Sequence, residues 1–429
     1  MNKYIAQPYY GDPSASPPVQ PAVKIYSLAD ASLVTTISFG SRGPNCVVLY
    51  QDSGNVYYLF VSFDFGATGA VEVYEFPSIN DLTNAASLPI PTTISFPDSV
   101  AGMAVHPGTG DLYVAAFSNG DGNGGVFHCP KGPTGYAASS LFSSNADPSV
   151  TFVCANLAFD FHGNLWMTTF DAAGGQFLIC YTRVSPADKS KFFKITNGQA
   201  FSTLTNLPGS APAPGAMLPF SAPEGIAFDP AGNLWVANNN DVSDFFATNG
   251  AGNGTLLRIS KVWIDTNLLN YGNLYGAPGF GMAFPFVKDD PSVAVYYLNN
   301  AEFGGLLFDG FTLYANDQGN GKVWRWDVTP DPATHLPNPL NFQTSGISTT
   351  YPGNGTMAIF DTTPASLLMK DGALDAGIEP DPAIGFGVFG PVWESVDIAV
   401  TVTTQLGGVL PNGDHAPAGI SLTSTPTIR

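Results

Sequence analysis

The sequence predicts an all-β fold, a six-bladed β-propeller with seven blades as the alternative. Three observations carry the prediction. A strand–turn–strand unit recurs along the chain, turn residues are spread from end to end, and long amphipathic helical patterns are nearly absent. The 429 residues include 47 Gly and 36 Pro, close to a fifth of the chain, dispersed as turns are and not gathered in one disordered tract. Hydrophobic residues make up 44% and aromatics 13%, ample for a large core, while charged residues supply only 11%.

The repeat sets the elements in order. AFDFHGNLWMTTFD, from Ala158 to Asp171, matches AFDPAGNLWVANNND, from Ala227 to Asp241, with one gap. Weaker copies are VVLYQDSGNVYYLF from Val47, MAVHPGTGDLYVAAF from Met103 and LLFDGFTLYAND from Leu306. In each, a short apolar inner strand runs into a tight turn, and an aromatic-bearing second strand returns. Asp160 and Asp229 are placed to accept hydrogen bonds from turn amides. Gly163 and Gly232 supply the positive φ that such turns need. The turn glycines Gly54, Gly110, Gly163 and Gly232 lie 56, 53 and 69 residues apart, which leaves room for four strands and long loops. Small residues such as Gly102, Ala104, Ala158, Gly225, Ala227, Gly304 and Gly305 suit inner strands crowded at an axis.

A third strand follows a glycine-rich loop in SNGDGNGGVFH, TNGAGNGTLLRIS and NDQGNGKVWRWDV, and in the shorter GAVEVYEF and GGQFLICYTRV. TTISF, at Thr35–Phe39 and again at Thr92–Phe96, marks a fourth strand. Because VKIYSL at Val23 resembles VEVYEF at Val71, the chain reads as entering the ring at a third strand. The missing inner strands are then expected from VWESVDIAVTVTTQL, starting at Val392, so that N- and C-terminal strands share one blade and leave no open ring. GNGTMAIFD, from Gly353, is the candidate for a seventh blade. The domain reading is an extended N-terminal arm at residues 1–21, a propeller at 22–403 and a C-terminal tail at 404–429, packed on the propeller. The arm is either a mobile leader or a segment that docks on a neighbouring chain.

Charge narrows the partners. Fifteen basic against 34 acidic residues give a formal charge of −19, which disfavours nucleic acids and anionic membranes, since phosphate binding needs clustered Lys and Arg. No segment approaches a membrane span, and the N-terminus has no signal-peptide core. The composition favours an extracellular or assembly-associated protein. Four cysteines, Cys46, Cys129, Cys154 and Cys180, are too few for a disulfide framework and read as buried thiols, with one or two disulfides as the alternative.

The unit ending in GNLW, above all PEGIAFDPAGNLWVANNND from Pro223 to Asp241, resembles NHL-repeat propellers and the related gluconolactonase/senescence-marker-protein superfamily. The resemblance covers about two thirds of the chain and is carried by a structural motif. It implies a propeller and, in the superfamily's lactonases, a divalent cation, commonly Ca2+, at the top of the axial channel. There Glu, Asn and Asp from different blades hold the ion, which polarises a lactone carbonyl and activates water. Glu224 and Asn156 stand at the starts of inner strands, where such ligands belong. Asn238, Asp241, Asp171 and Asp317 follow second strands, which end on the same face. The chain departs from the superfamily in its first blade, where PNCVVLYQ from Pro44 replaces the Glu-Gly-Pro segment, and in lacking the full ordered ligand set.

Other constellations are incomplete. Asn119, Asp121 and Asn123 alternate like the start of a calcium loop, but Pro130 stands where the closing Glu belongs. His106 and His162 fall in inner-strand turns, His128 on a third strand, and His335 and His415 in loops, none with zinc spacing. There is no nucleophile elbow and no P-loop ending, so no organic cofactor is expected. Asn253-Gly254-Thr255 and Asn354-Gly355-Thr356 are glycosylation sequons. Trp166, Trp235, Trp324 and Trp326 read as packing between sheets, with sugar platforms as the alternative. The expected function is a non-catalytic recognition or structural module that binds a protein or glycan through loops on one face. The alternative is a metal-dependent lactone or ester hydrolase with Glu224 and Asn156 as ligands and Asp317 or Asp171 assisting. A purely structural cation is the third reading.

Overall fold

A computed structural model of the chain describes residues 3–12, 14, 16–52, 56–63, 69–84, 88–97, 99–117, 125–133, 135–137, 140–143, 152–161, 163–171, 175–181, 192–240, 252–273, 282–348 and 355–362. It also describes the strands at 396–404, 408–409, 415–416 and 420–428. Six sheets form the blades of a six-bladed propeller, each built inner to outer from antiparallel strands. Blade 1 is Pro44–Gln51, Tyr57–Phe63, Gly69–Phe76 and Thr92–Phe96. Blade 2 is Ser99–Val105, Leu112–Phe117, Gly125–Cys129 and Ser140–Ser143. Blade 3 is Phe152–Phe159, Leu165–Asp171, Gln176–Tyr181 and Phe192–Thr196, and blade 4 is Pro223–Phe228, Leu234–Asn238, Thr255–Ile259 and Val293–Tyr297. Blade 5 is Phe303–Asp309, Thr312–Asp317, Lys322–Asp327 and Phe342–Ser348.

Blade 6 closes the ring with strands from both ends of the chain and corrects the sequence reading of which strands they are. Its inner strand is Ala358–Asp361, its second Lys3–Tyr9, its third Ala22–Ser27 and its fourth Leu33–Ser38. The chain therefore enters at a second strand. Residues 3–9, expected as part of an arm, pair within the chain's own sheet and are not offered to a neighbour. The GNGTMAIFD segment supplies the closing blade's inner strand and not a seventh blade. Val396–Thr404, expected to close the ring, pairs instead with Ile420–Ile428 in a separate two-stranded ribbon, where a tail was expected. Pro8 is tolerated in a second strand because the ladder to the inner strand ends at Ala6↔Ala358, so the missing N–H is not needed there.

Hydrophobic clusters fill the spaces between consecutive blades. Val71, Val100, Val114 and Cys129 lie between blades 1 and 2, Leu157, Met167, Tyr113 and Val126 between 2 and 3, and Trp166, Leu178, Ile226 and Val236 between 3 and 4. Trp235, Tyr296, Leu306 and Trp326 join blades 4 and 5. Ile5, Val23, Tyr314, Val323, Val47 and Leu59 join blade 6 to blades 5 and 1. Both faces of each blade are thus apolar, as a ring of stacked sheets requires. Trp166, Trp235 and Trp326 are completely buried, and Trp324 stacks on Phe342, so core packing accounts for all four.

The recurrence of the turn unit has a local cause. Asp160 accepts from the Asn164 backbone N–H (2.9 Å), Asn164 Nδ2 (2.7 Å) and Trp166 Nε1 (3.0 Å). Asp229 makes the same set with Asn233 and Trp235. One buried carboxylate therefore fixes the turn, the asparagine and the core indole together, which explains why D-x-x-G-N-L-W travels as a unit. Gly163 and Gly232 take φ of +76° and +83° in these turns. Gly54 lies outside the described residues.

Two blades carry a fifth strand. Met282–Pro285 adds in parallel to the outer strand of blade 3, and Thr205–Asn206 adds in parallel to that of blade 4. The helix Lys261–Asn273 lies between the third and fourth strands of blade 4. Among the described residues no helix is long and apolar enough to cross a membrane.

Candidate functional site

The starts of the inner strands and the ends of the second strands lie on one face, as expected for a propeller mouth. Pro223 pairs with Asn238, Phe303 with Asp317, and Phe152 with Asp171. Inner strands in five blades carry a register shift near this end, at Pro44/Val47, Val100/Gly102, Cys154/Asn156, Pro223/Ile226 and Phe303/Leu306. These bulges turn one residue of each strand toward the axis, and they form the hub.

The hub is a continuous set of contacts. Asn45 Nδ2 donates to the carbonyls of Val100 (3.2 Å) and Ala101 (3.0 Å), joining blades 1 and 2. Between blades 2 and 3, a Cβ on Gly102 would stand 2.6 Å from Asn156 Oδ1, so only glycine fits. Thr168 Oγ1 accepts from Asn156 N (3.0 Å) and donates to Glu224 O (2.8 Å), joining blades 3 and 4. A Cβ on Gly225 would fall on the carbonyl oxygen of Gly304, and one on Gly305 on that of Gly355, so blades 4, 5 and 6 meet backbone to backbone. Gly355 N donates to Asn45 O (3.0 Å) and Val47 N to Thr356 O (2.8 Å), which completes the circle.

One bond crosses the circle. Thr356, at the start of the blade 6 inner strand, accepts at Oγ1 from Asn156 Nδ2 of blade 3 at 3.0 Å and lies 3.2 Å from Asn156 Oδ1. Blades 3 and 6 are opposite one another in a six-membered ring. The pair therefore spans the axis at this level. Tyr10 braces the arrangement by donating to Asn45 Oδ1 at 2.5 Å. Cys46, beside Thr356, is fully buried, and burial pushes its thiol up to about 11.

Asn156, Asn238, Asp317 and Glu224 of the expected ligands lie among the described residues. Asn156 Oδ1 already accepts from Leu157 N (2.9 Å) in addition to its contact with Thr356. Asn238, fully buried, accepts from Ser221 N (3.1 Å) and donates to Pro219 O (2.8 Å) and Thr255 Oγ1 (2.7 Å), so it ties a loop to the blade. Asp317, also fully buried, accepts from Glu302 N, Asn320 N, Asn320 Nδ2 (2.8 Å) and Trp324 Nε1 (2.7 Å). It is a turn anchor of the same chemistry as Asp160 and Asp229. Glu224 is half-buried at the hub. Thr168 links the backbones of Asn156 and Glu224, while Asn238 and Asp317 serve other loops. The backbone of Asp171 ends the second strand of blade 3, its side chain lying outside the described residues, as do Asp241, the 118–124 loop with Asn119, Asp121 and Asn123, His162 and Asn354. Among the described residues no three His, Cys, Asp or Glu side chains gather as a metal would require.

The turns between inner and second strands, at the opposite end, hold His106, the His128–Asp111 pair and the Lys131–Asp52 pair. His106 Nδ1 accepts from the Gly108 and Thr109 amides in its turn (both 3.1 Å). His128 pairs with Asp111 at 2.9 Å, and Lys131 Nζ with Asp52 at 2.8 Å. Cys46, Cys129 and Cys180 are free, buried thiols. The side chain of Cys154 lies outside the described residues. Asn253, the first sequon, accepts from Tyr297 OH at 2.9 Å. Asn45, Thr168 and Thr356 are hub residues that sequence reasoning missed. Asn45 lies in the very PNCVVLYQ segment that departs from the superfamily pattern.

No protein-family model and no curated protein matches the chain. Solved structures do. The PQQ-bound aldose sugar dehydrogenase of Streptomyces coelicolor is 13% identical over 73% of this chain and 84% of its own, with a TM-score of 0.38. A structure of a nidogen/laminin complex is 11% identical over 85% of this chain and 100% of its own, with a TM-score of 0.44. An oxidoreductase (glucose dehydrogenase) of Thermus thermophilus is 15% identical over 70% and 83%, with a TM-score of 0.38. At these scores they assign no activity.

Proposed function

We propose that this protein is a non-catalytic recognition module that binds a protein or glycan partner through the face carrying the inner-strand starts. The observation that supports this reading is the Asn156–Thr356 pair across the axis. A lactonase-type site needs an open mouth in which Glu, Asn and Asp oxygens converge on one cation. Here the oxygens of Asn156, Asn238 and Asp317 accept hydrogen bonds from the chain's own amides and indole, and the hub's glycines bring blade backbones into contact. The rigid scaffold then serves to hold loops, which is where binding resides on such folds. Kinship with NHL-repeat and gluconolactonase-type propellers belongs to this proposal as a relation of blade architecture, carried by the Asp–Asn–Trp turn unit.

Thermal unfolding of chelator-stripped protein tests it. A ligand that binds only the folded state raises the midpoint by mass action. The recognition reading expects no calcium-specific rise across millimolar calcium, and no turnover in a lactone and ester screen. A rise that Glu224→Gln removes, together with hydrolysis that the same substitution removes, would instead establish the hydrolase.

A further inference from the structure

We infer that the outer edge of the closing blade, Leu33–Ser38, is a pairing surface for a second copy of this chain, the two edges joining antiparallel about a two-fold axis at Thr36. An outermost strand exposes a row of backbone donors and acceptors, and soluble proteins guard such edges with charges, prolines, breaks or covering strands. Five blades of this propeller are guarded. Blades 3 and 4 carry the added strands Met282–Pro285 and Thr205–Asn206. Blade 2 ends in a strand of four residues. In blade 1, Pro91 and Pro97 flank Thr92–Phe96. In blade 5 the edge is broken by Gly346 at φ +85°.

The closing blade differs. From Leu33 to Phe39 the sequence LVTTISF holds no charge, proline or glycine. Pairing to the third strand is regular from Thr35 to Ser38, with one irregularity beside Val34. Leu33 is 52% and Val34 39% exposed, two adjacent large apolar side chains on a rim where Thr36 and Ser38 are also exposed.

The occupant follows from symmetry and charge. Antiparallel pairing about Thr36 sets Thr36 against itself, Val34 against Ser38 and Thr35 against Ile37 of the other copy. Exposed residues then meet exposed residues, and inward residues meet inward ones. Threonine directly opposite threonine is a favourable cross-strand pair. Chains of charge −19 repel one another, so contact is admitted where the meeting surface is itself neutral, as this strand is. Association should therefore strengthen as salt screens the repulsion.

The test is sedimentation of the full chain over a concentration series, at low and at moderate salt. The wild type should show a monomer–dimer equilibrium that shifts toward dimer with salt. Thr36→Lys and Thr36→Glu each place like charges on the axis and should weaken self-association by about fivefold or more. An equimolar mixture of the two should recover a heterodimer, a result that a merely damaged edge cannot give. Thr36 lies beside Lys24 on the third strand, so the unfolding midpoint of each variant confirms that the blade is intact. Thr93→Lys, on the proline-flanked edge of blade 1, should change nothing. A wild type that stays monomeric at every concentration, variants that dimerise unchanged, or a mixture that fails to recover would each overturn the inference.

Discussion

Replacing Asp229 by Ala should be among the most damaging single substitutions in this protein. The carboxylate is 1% exposed and accepts from three donors: the Asn233 backbone N–H at 2.9 Å, Asn233 Nδ2 at 2.8 Å and Trp235 Nε1 at 3.0 Å. Alanine leaves all three buried without that acceptor. Each unsatisfied buried donor costs about 1–3 kcal/mol, and more when the lost partner was charged. The costs are not additive, because the freed turn relaxes, so the expected loss is about 3–5 kcal/mol. Trp235 carries the damage further, since its ring packs on Tyr296, Trp326 and Phe308 across the blade 4–5 interface. Urea unfolding, followed by far-UV circular dichroism and tryptophan fluorescence, reads the loss as a fall in midpoint at constant slope. Asp160→Ala should match it, because Asn164 and Trp166 make the equivalent bonds. Asp229→Asn should recover only part, since one of its two terminal atoms becomes a donor facing donors. A loss below about 1 kcal/mol for either alanine variant would refute the reasoning that this carboxylate organises the turn.

Three further outcomes follow from the hub and the core. Gly225→Ala and Gly305→Ala force a methyl onto a neighbouring blade's carbonyl oxygen and should destabilise by at least about 1–3 kcal/mol, read in the same urea assay. Thr356→Val keeps the shape but removes the axial hydrogen bond, and should cost about 1–2 kcal/mol with no change in secondary structure. Burial pushes the thiol of Cys46 up to about 11 and that of Cys129 to about 12, from an ordinary 9.0. Because the fold favours the protonated form, these thiols stabilise fully below pH 9.0, and that contribution is lost as pH rises toward 11 and 12. Alkylation at about pH 8.5, near the ordinary thiol pKa, followed by peptide mapping, should leave both residues unmodified in native protein and label them after unfolding.

The blade unit was legible because its cause is local. Asp, Gly, Asn and Trp within seven residues make one turn and one buried hydrogen-bonded set, so the pattern survives repetition. Third and fourth strands were legible for the same reason, and VKIYSL and TTISF do occupy third and fourth positions in blade 6. Ring closure was harder to read. The MAIFD strand has the look of an inner strand, but no GNLW strand follows it, because its partner is Lys3–Tyr9 at the other end of the chain. KYIAQPY in turn contains a glutamine and a proline, and only the register shows why Pro8 costs nothing there. The hub was illegible from sequence, since Asn156 and Thr356 are 200 residues apart and no periodicity links them. Asp317 shows the converse hazard. Its position suits a cation ligand, yet its oxygens hold Asn320 and Trp324.

Six blades close on a hub that the protein's own hydrogen bonds span, and everything proposed for the mouth depends on that closure. Hydrogen exchange of the segments 44–51 and 355–361, with and without millimolar calcium, tests it most directly. The Val47 N–H bonded to Thr356 O and the Gly355 N–H bonded to Asn45 O should exchange only through unfolding of the ring. Their protection should match that of the blade 4 inner strand and be indifferent to calcium. Rapid exchange at these amides, or protection that develops only when calcium is added, would contradict a hub closed by the protein's own bonds and point to a mouth completed by a cation.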